Sequence, residues 1–493
     1  MTRRDRYVLA AIVVVALAAR MVTIIALSDI DPMRGDGRRY FKEAGNILAG
    51  RSYGWNRSPG YCTILAGAQL ICGGQESIKV VQGANVVLGV LAVVGVYALG
   101  VLTHGRRLGE VAAAIIALDP RYITHAIFSI IENGYVPLCV WSLAAVIWGM
   151  KKPGAARGLL AGVVIGLATL VRSFMMYFIF VAAAATLIWG TGRRWSRFLQ
   201  AAMIVVVAAL MIMPWTIRNW YEYNRFVPVS FEDGHQFVRG NVYHQPDYDK
   251  YTKELMEIAR TQVAPTDPRR ALKVDLNSAL RRKGVELIIE RQPLWAFQKI
   301  AKYGPALLEP GGYILARGAH DPEILGETGV VVVFWFFTGT QTVILLLSVI
   351  GLARHTRSPG DILLILYVLY SFAIHLTTHM SIFRYQLPYN WFFILFAARA
   401  FVDRPLLSRK RITAAVVLMA LAVSSLVVNA IRAPDAERKE QLEQKRDSLP
   451  ARVEASEQKK QERIDRSRQR RDKRAKSEVG GEADDEDLDD SDE

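Results

Sequence analysis

The chain has 493 residues, of which 52% are hydrophobic, and its mean hydropathy is +0.18. A helix needs about 20 apolar residues to cross a bilayer, and several apolar runs in the chain are that long, which excludes an ordinary soluble protein. The net charge of +15 would suit nucleic-acid binding. However, the basic residues cluster in loops between apolar runs, as in membrane proteins, so no nucleic-acid partner is predicted.

The apolar runs predict an all-α polytopic membrane protein with about 11 to 13 transmembrane helices. The first run has no convincing cleavage site, which favours an anchor over a signal peptide. The loops rich in Lys and Arg all fall on one side, which the positive-inside rule makes cytoplasmic. The predicted spans are 7–28, 78–103, 108–118, 122–150 with a break near Glu132, 158–171, 174–190, 198–217, 329–353, 362–378, 388–402 and 412–431.

This topology places two long segments on the outer side of the membrane. Outer loop 1 covers residues 29–77, and its apolar part at 61–70 is too short to cross, which predicts an interfacial or re-entrant piece. The large outer loop covers residues 220–328. Apolar positions recur there at helical spacing, so it is predicted to be mainly helical. The helical pieces are 251–261, 274–290 and 293–308, and a third outer turn lies at 379–385.

Residues 1–431 form the predicted membrane module, and residues 432–493 form a charged tail. From Pro434 onward the tail has 15 Lys+Arg and 20 Asp+Glu. Because it has few apolar residues to bury, the tail is predicted to be disordered, and no function is assigned to it.

Cofactor and metal motifs are missing from the sequence. Cys62, Cys72 and Cys139 lie in apolar surroundings without disulfide or metal spacing. There is no P-loop, dinucleotide fingerprint or HExxH motif, so neither a cofactor nor a metal is predicted. Small residues at Gly83, Gly89, Gly95 and Gly100 favour close helix packing over phosphate binding.

Two acidic residues are candidates for catalysis. Asp36 and Tyr40 are four residues apart and would share one helix face, so the carboxylate is either a general base or a helix N-cap. Glu132 interrupts an apolar run, where a carboxylate is costly and faces a cavity or a partner. It is either a second acid that meets Asp36 or the structural partner of a buried arginine.

Four arginines fall on the outer side, against the positive-inside trend: Arg57, Arg172, Arg218 and Arg384. A guanidinium binds phosphate through two hydrogen bonds and would stabilise a phosphate leaving group. Snorkelling to the membrane interface explains one or two such residues better than it explains four. The arginines therefore favour a phosphate or pyrophosphate head group as ligand.

The order and spacing of these motifs resemble the GT-C superfamily of membrane glycosyltransferases, in the branch related to protein O-mannosyltransferases and aminoarabinose transferases. The resemblance runs over about residues 7–402. It depends on Asp36, Tyr40 and Ala44, Arg57-Ser58-Pro59-Gly60-Tyr61, Asn85, Pro120, Glu132, Leu170-Val171-Arg172, Pro214-Trp215-Thr216-Ile217-Arg218-Asn219, residues 234–241, His379 and Arg384-Tyr385.

The resemblance implies a GT-C-like bundle, a sugar donor linked to polyprenyl phosphate, and inversion at the anomeric carbon. It makes Asp36 the base or the acceptor-positioning group, Glu132 a second acidic position, and Arg57 a cation near the donor phosphate. The chain departs from the aminoarabinose transferases, which have a Lys-Pro-Pro-like element where Arg57-Ser58-Pro59 stands, so the acceptor stays open. The expected substrate-binding residues are Tyr40, Arg57, Tyr61, Arg172, Arg218, Asn219, His379, Arg384 and Tyr385.

The function expected from these residues is metal-independent sugar transfer at the outer face of a bacterial inner membrane, with the site facing the periplasm. The acceptor is a protein, a lipid or a glycan. Two alternatives are a flippase or transporter of a lipid-linked saccharide, and a ligase or polymerase that joins preassembled glycans. A noncatalytic scaffold is a third alternative, and the charged tail is the only feature that favours it.

Overall fold

The computed structural model of the protein describes residues 2–402, except 34, 55–56, 75, 232, 243–252, 255–256, 258–260, 262–268, 309–321, 354–357 and 379–385. The described residues contain helices and connecting turns, and no strand occurs among them. The predicted tail at 432–493 and the predicted span at 412–431 lie outside the described residues.

The described residues of the first half of the bundle form ten α-helices. They are α1 (Arg3–Ala26), α2 (Gly37–Leu48), α3 (Gly60–Ile71), α4 (Ile78–His104), α5 (Arg106–Leu118), α6 (Pro120–Thr124), α7 (Ile131–Lys151), α8 (Ala155–Val171), α9 (Met175–Trp189) and α10 (Arg194–Tyr223).

The second half contains the large loop and three more apolar helices. The loop carries α11 (Asp233–Val242), α12 (Arg269–Glu290) and α13 (Leu294–Gln298), then a π-helical turn (Lys299–Tyr303) and a 3-10 turn (Pro305–Leu308). The apolar helices are α14 (Pro322–Ala353), α15 (Pro359–Thr378) and α16 (Leu387–Val402).

Six helices are long and apolar enough to cross a membrane, and four shorter apolar helices accompany them in the described part of the chain. The predicted spans from 7–28 to 388–402 each coincide with a helix or a helix pair. The break predicted near Glu132 is also found. The chain is extended at Phe128 and Ile130, between a 3-10 turn and the start of α7.

Helix α7 is the centre of the bundle. In the most apolar stretch of α7, 78% of the residues are buried, against 11% in α1, which therefore presents most of its surface to lipid.

Small residues let neighbouring helices approach closely. A Cβ on Gly100 of α4 would lie 2.6 Å from the Cα of Gly109 in α5, and one on Gly95 would lie 2.7 Å from Val140 of α7. Gly89 faces Arg20 in the same way, whereas a Cβ on Gly83 would meet nothing within 4 Å.

Helix α3 is the short apolar piece predicted within outer loop 1. Its 12 residues span about 18 Å, which is too short to cross the hydrocarbon core. Its first residue, Gly60, touches the end of α8, because a Cβ there would lie 2.6 Å from the backbone nitrogen of Val171. The glycine thus allows outer loop 1 to approach the residue that precedes Arg172.

The large loop contains the two predicted helical pieces that are described, at 274–290 and 293–308, whereas most of 251–261 lies outside the described residues. Hydrogen bonds tie this loop to the bundle. The indole nitrogen of Trp295 donates to Asn241 Oδ1 at 2.9 Å, and Asn241 Nδ2 donates to the carbonyl of Thr377 at 2.9 Å. The loop is therefore fastened to the end of α15.

Candidate active site at one end of the bundle

Asp36 and Arg57 form an ion pair at the surface of outer loop 1. The distance from Arg57 Nη1 to Asp36 Oδ2 is 2.8 Å, and the side chains are 24% and 27% exposed. Asp36 stands at the N-cap position of α2, but its side chain makes no capping hydrogen bond. The carboxylate is therefore directed to the arginine and not to the helix backbone.

The segment that carries Asp36 is held against the start of α7. The backbone N–H of Ser129 donates to the carbonyl of Pro32 at 3.1 Å. A Cβ on Gly37 would lie only 3.2 Å from the carbonyl oxygen of Ser129, so a glycine is favoured next to Asp36. Because Ser129 precedes Glu132 by three residues, both candidate acids lie at the same end of the bundle, which we name the site end.

Glu132 pairs with Arg172 inside the protein. Arg172 Nη1 donates to Glu132 Oε1 at 3.0 Å, and the two side chains are 9% and 0% exposed, respectively. The guanidinium also lies 4.7 Å from the ring centre of Phe174. Of the two roles that the sequence left open for Glu132, the geometry provides the contact with a buried arginine.

Arg218 connects outer loop 1 to the end of α10. Its Nη2 donates to the carbonyl of Tyr53 at 2.5 Å, and its Nη1 donates to Asn219 Oδ1 at 3.1 Å. The guanidinium lies 4.9 Å from the ring centre of Trp215. Asn219 is buried and donates to the carbonyl of Val227 at 3.0 Å, so it fixes the chain that leaves the helix.

The two predicted substrate-binding tyrosines of outer loop 1 are buried. Tyr40 and Tyr61 pack edge to face with ring centres 5.2 Å apart, and the Tyr61 hydroxyl donates to Asn85 Oδ1 at 2.9 Å. These contacts join α2, α3 and α4. The other predicted substrate-binding residues, His379, Arg384 and Tyr385, lie outside the described residues.

An apolar groove of about 490 Å³ opens beside the charged residues, between α3, α7, α8 and α10. Its lining includes Pro59, Val171 and Trp215. Each of these residues is close in sequence to one of the arginines: Pro59 to Arg57, Val171 to Arg172 and Trp215 to Arg218. The site end therefore combines an apolar groove with guanidinium groups at its edge, which suits a ligand with one apolar and one anionic part.

Tyr53 is a residue of the site that the sequence analysis missed. Its hydroxyl donates to the carbonyl of Ser58 at 3.2 Å, and its ring packs edge to face on Trp215 at 5.2 Å. Burial raises the pKa of the Tyr53 phenol well above its usual value, so the group stays protonated as a donor. No periodic signal marks Tyr53, because residues 51–54 are not helical.

A buried polar network beneath the site end was also missed. Arg121 Nε donates to Asp119 Oδ1 at 3.0 Å, and Arg121 Nη1 donates to Asn390 Oδ1 at 3.1 Å and to Gln341. The signal that could have found it is a pair of opposite charges around Pro120 between two apolar runs. Within the described residues, no group of three or more His, Cys, Asp or Glu side chains could hold a metal ion.

Residues 56–217, about a third of the chain, match the family model of dolichyl-phosphate-mannose-protein mannosyltransferase. No curated protein matches the sequence significantly.

Solved structures are similar to this chain at low sequence identity. The Archaeoglobus fulgidus oligosaccharyltransferase tethered with an acceptor peptide gives a TM-score of 0.50 at 15% identity, over 86% of this chain and 54% of that chain. AglB from the same organism, in complex with an inhibitory peptide and a dolichol-phosphate, gives 0.49 at 17% identity, over 86% and 55%. ArnT from Cupriavidus metallidurans in the apo state gives 0.37 at 14% identity, over 79% and 76%.

The chain spans about half the length of the archaeal oligosaccharyltransferases that it matches. The likeness to the peptide-tethered enzyme concerns the fold, because the sequences are only 15% identical. The family-model match adds sequence evidence across α3 to α10. Over residues 56–217 the chain is thus similar to the dolichyl-phosphate-mannose-protein mannosyltransferases, and its fold is similar to that of the peptide-tethered oligosaccharyltransferase.

Proposed function

We propose that the chain transfers a sugar from a polyprenyl-phosphate donor to an acceptor at the outer face of a bacterial cytoplasmic membrane. The observation that carries this proposal is the quarter-exposed Asp36–Arg57 ion pair, whose arginine stands two residues before Pro59 of an apolar groove. The matched family model is named for a sugar donor on dolichyl phosphate, which supports a lipid-phosphate donor.

The donor would bind with its two ends in different surroundings. The first isoprene units of its tail would occupy the groove at Pro59, Val171 and Trp215, where burial of apolar surface favours hydrocarbon. The phosphate would lie at the groove edge and accept hydrogen bonds from Arg57, with Arg218 nearby. His379, Arg384 and Tyr385 would complete the donor site from the segment after α15.

In the reaction, the acceptor's hydroxyl or amine forms a bond to the anomeric carbon from the side opposite the phosphate. The bond from that carbon to the phosphate oxygen breaks, and its electron pair leaves with the phosphate. Asp36 takes the acceptor's proton, and Arg57 stabilises the charge that develops on the phosphate. The product has the inverted configuration, and no step requires a metal.

Glu132 would assist through Arg172. The buried carboxylate fixes the guanidinium at the end of α8, next to the groove residue Val171. There the positive charge would favour an anionic phosphate, because charges interact more strongly in a low-dielectric environment. Glu132 is thus a positioning residue in this proposal, while Asp36 is the catalytic one.

The large outer loop would help to select the acceptor. It is fastened to the end of α15 through Trp295 and Asn241. Arg225 in the chain after α10 also binds Asp275 of α12 through two contacts of 2.9 Å. These ties hold the loop near the site end, where a protein, lipid or glycan acceptor would arrive.

The test is transfer from labelled polyprenyl-phosphate sugars by the full chain in proteoliposomes. We expect Asp36→Asn to lower the transfer rate about 10²- to 10⁴-fold, because the base is lost, while donor binding persists. Asp31→Asn is the matched control, since Asp31 lies in the same loop and pairs with Arg38 at 3.3 Å. It should transfer at the wild-type rate.

Full transfer by Asp36→Asn would remove Asp36 from the mechanism. Movement of the labelled donor across the membrane without transfer, by wild-type protein supplied with acceptors of all three classes, would favour a flippase and overturn the proposal.

A further inference from the structure

A second apolar groove, of about 660 Å³, lies on the half of the bundle opposite the site end. It runs between α1, α4, α7 and α8, and it is lined by hydrophobic residues along its length. The residues used below are Leu9, Ala98, Leu102, Trp148 and Leu160. Such a lining suits a hydrocarbon chain and offers little to a polar ligand.

This groove opens toward the end of the bundle that carries the basic loops, which we name the basic end. Leu102 lies two residues before the end of α4, Trp148 three residues before the end of α7, and Leu160 five residues after the start of α8. The basic residues of this end include Arg3, Arg106, Lys151, Lys152 and Arg193. The positive-inside rule makes this the cytoplasmic end.

The mouth of the groove is cationic. The guanidinium of Arg157 lies 4.6 Å from the ring centre of Trp148, which is 42% exposed. Arg157 also donates to the carbonyl of Lys152, and the side chains of Lys151 and Lys152 are exposed beside it. Asp5, at the nearby start of α1, forms an ion pair with Arg106, with 2.6 Å between Oδ2 of the aspartate and Nη1 of the arginine.

We propose that this groove binds an anionic phospholipid of the cytoplasmic leaflet. One acyl chain would lie along Leu102 and Leu160, and the head group would reach Arg157 with Lys151 and Lys152. A guanidinium binds a phosphodiester through paired hydrogen bonds, and basic pockets between transmembrane helices favour anionic head groups. Leu138 lines both grooves, but this groove extends from it toward the basic end, whereas the proposed donor site extends toward the site end and includes a carboxylate.

Charge selectivity is tested on the purified full chain in detergent. Binding of phosphatidylglycerol and of phosphatidylcholine with identical acyl chains is measured by native mass spectrometry. We expect tighter binding of phosphatidylglycerol, and we expect Arg157→Gln to weaken it about fivefold, the contribution of one basic residue near a membrane surface. Arg194→Gln, an exposed arginine of the same end, is the matched control and should leave binding unchanged.

The groove itself is tested by filling it. Ala98→Trp should abolish binding of both lipids, whereas Ala18→Trp, on the exposed face of α1, should retain it. Equal affinity for the two lipids in the wild type, or an equal loss in Arg157→Gln and Arg194→Gln, would overturn the proposal. The arginine variants are surface changes, so their result stands even where Ala98→Trp fails to fold.

Discussion

Two ion pairs at the site end differ in how much water reaches them. The side chains of Asp36 and Arg57 are each about a quarter exposed, whereas those of Glu132 and Arg172 are 0% and 9% exposed. An exposed pair has weak net stability, so its partners can be exchanged for a substrate. Removing one partner of a buried pair is strongly destabilising, because the remaining charge is neither paired nor hydrated. The first pair therefore suits chemistry, and the second suits positioning.

We expect Glu132→Gln to lower the free energy of unfolding by about 3 to 5 kcal/mol, because it leaves the Arg172 charge buried without its carboxylate. The double variant Glu132→Leu with Arg172→Met should recover most of this loss, since it removes both charges. Thermal unfolding of the purified variants measures the effect. A double variant as unstable as the sum of its two single changes would show that the pair is not coupled.

At the residue scale, the sequence offered a buried arginine as one of two partners for Glu132 but could not say which arginine it is. The Glu132–Arg172 contact joins residues 40 positions apart, on different helices. Local patterns cannot assign such a contact, because it depends on how α7 and α8 pack. Asp119 and Arg121 were missed for a different reason, since two charges beside a proline also fit an ordinary loop.

At the element scale, hydrophobicity and helix length are local properties, so the apolar helices were predictable from the sequence. Close approaches were only partly predictable. Gly89, Gly95 and Gly100 each face a neighbouring helix closely, as expected from small residues, but Gly83 faces open space. Gly60 was not singled out as a packing residue, because in the sequence it belongs to the motif Arg57-Ser58-Pro59-Gly60-Tyr61, although in the structure it is the first residue of α3.

Gly60→Ala should push α3 away from α8, because its Cβ would lie 2.6 Å from the backbone of Val171, which cannot rotate aside. We expect a loss of about 1 to 3 kcal/mol in unfolding free energy, as for other overpacked sites. Gly67→Ala is the control on the same helix, since its Cβ would meet nothing within 4 Å. It should stabilise the helix by about 0.5 to 1 kcal/mol. Equal effects of the two changes on thermal unfolding would contradict this packing.

At the scale of the whole molecule, the bundle has a basic end and a site end, each with its own groove. The positive-inside rule assigns the basic end to the cytoplasm, which would place Asp36 and Arg57 outside. The sequence predicted this polarity from the alternation of basic loops. It could not predict the grooves, because their walls come from helices that are distant in the chain.

Which end of the bundle faces the cytoplasm is tested by labelling a cysteine that the protein already has. Cys72 is exposed at the end of α3, whereas Cys62 and Cys139 are buried. Burial raises the pKa of the Cys62 thiol to about 12, which keeps it unreactive at neutral pH. In intact spheroplasts, we expect a membrane-impermeant maleimide to label Cys72. Lys152→Cys in a Cys72→Ser background should stay unlabelled until the membrane is opened. The reverse pattern would place the site end in the cytoplasm.

The most direct test of the central claim is the affinity of the purified protein for a polyprenyl phosphate. We expect Arg57→Gln to weaken binding about ten- to hundredfold, because the phosphate loses charged hydrogen bonds. Arg51→Gln, an exposed arginine of the same loop, should bind like the wild type. Unchanged binding by Arg57→Gln, or an equal loss in both variants, would contradict a donor phosphate at the Asp36–Arg57 pair.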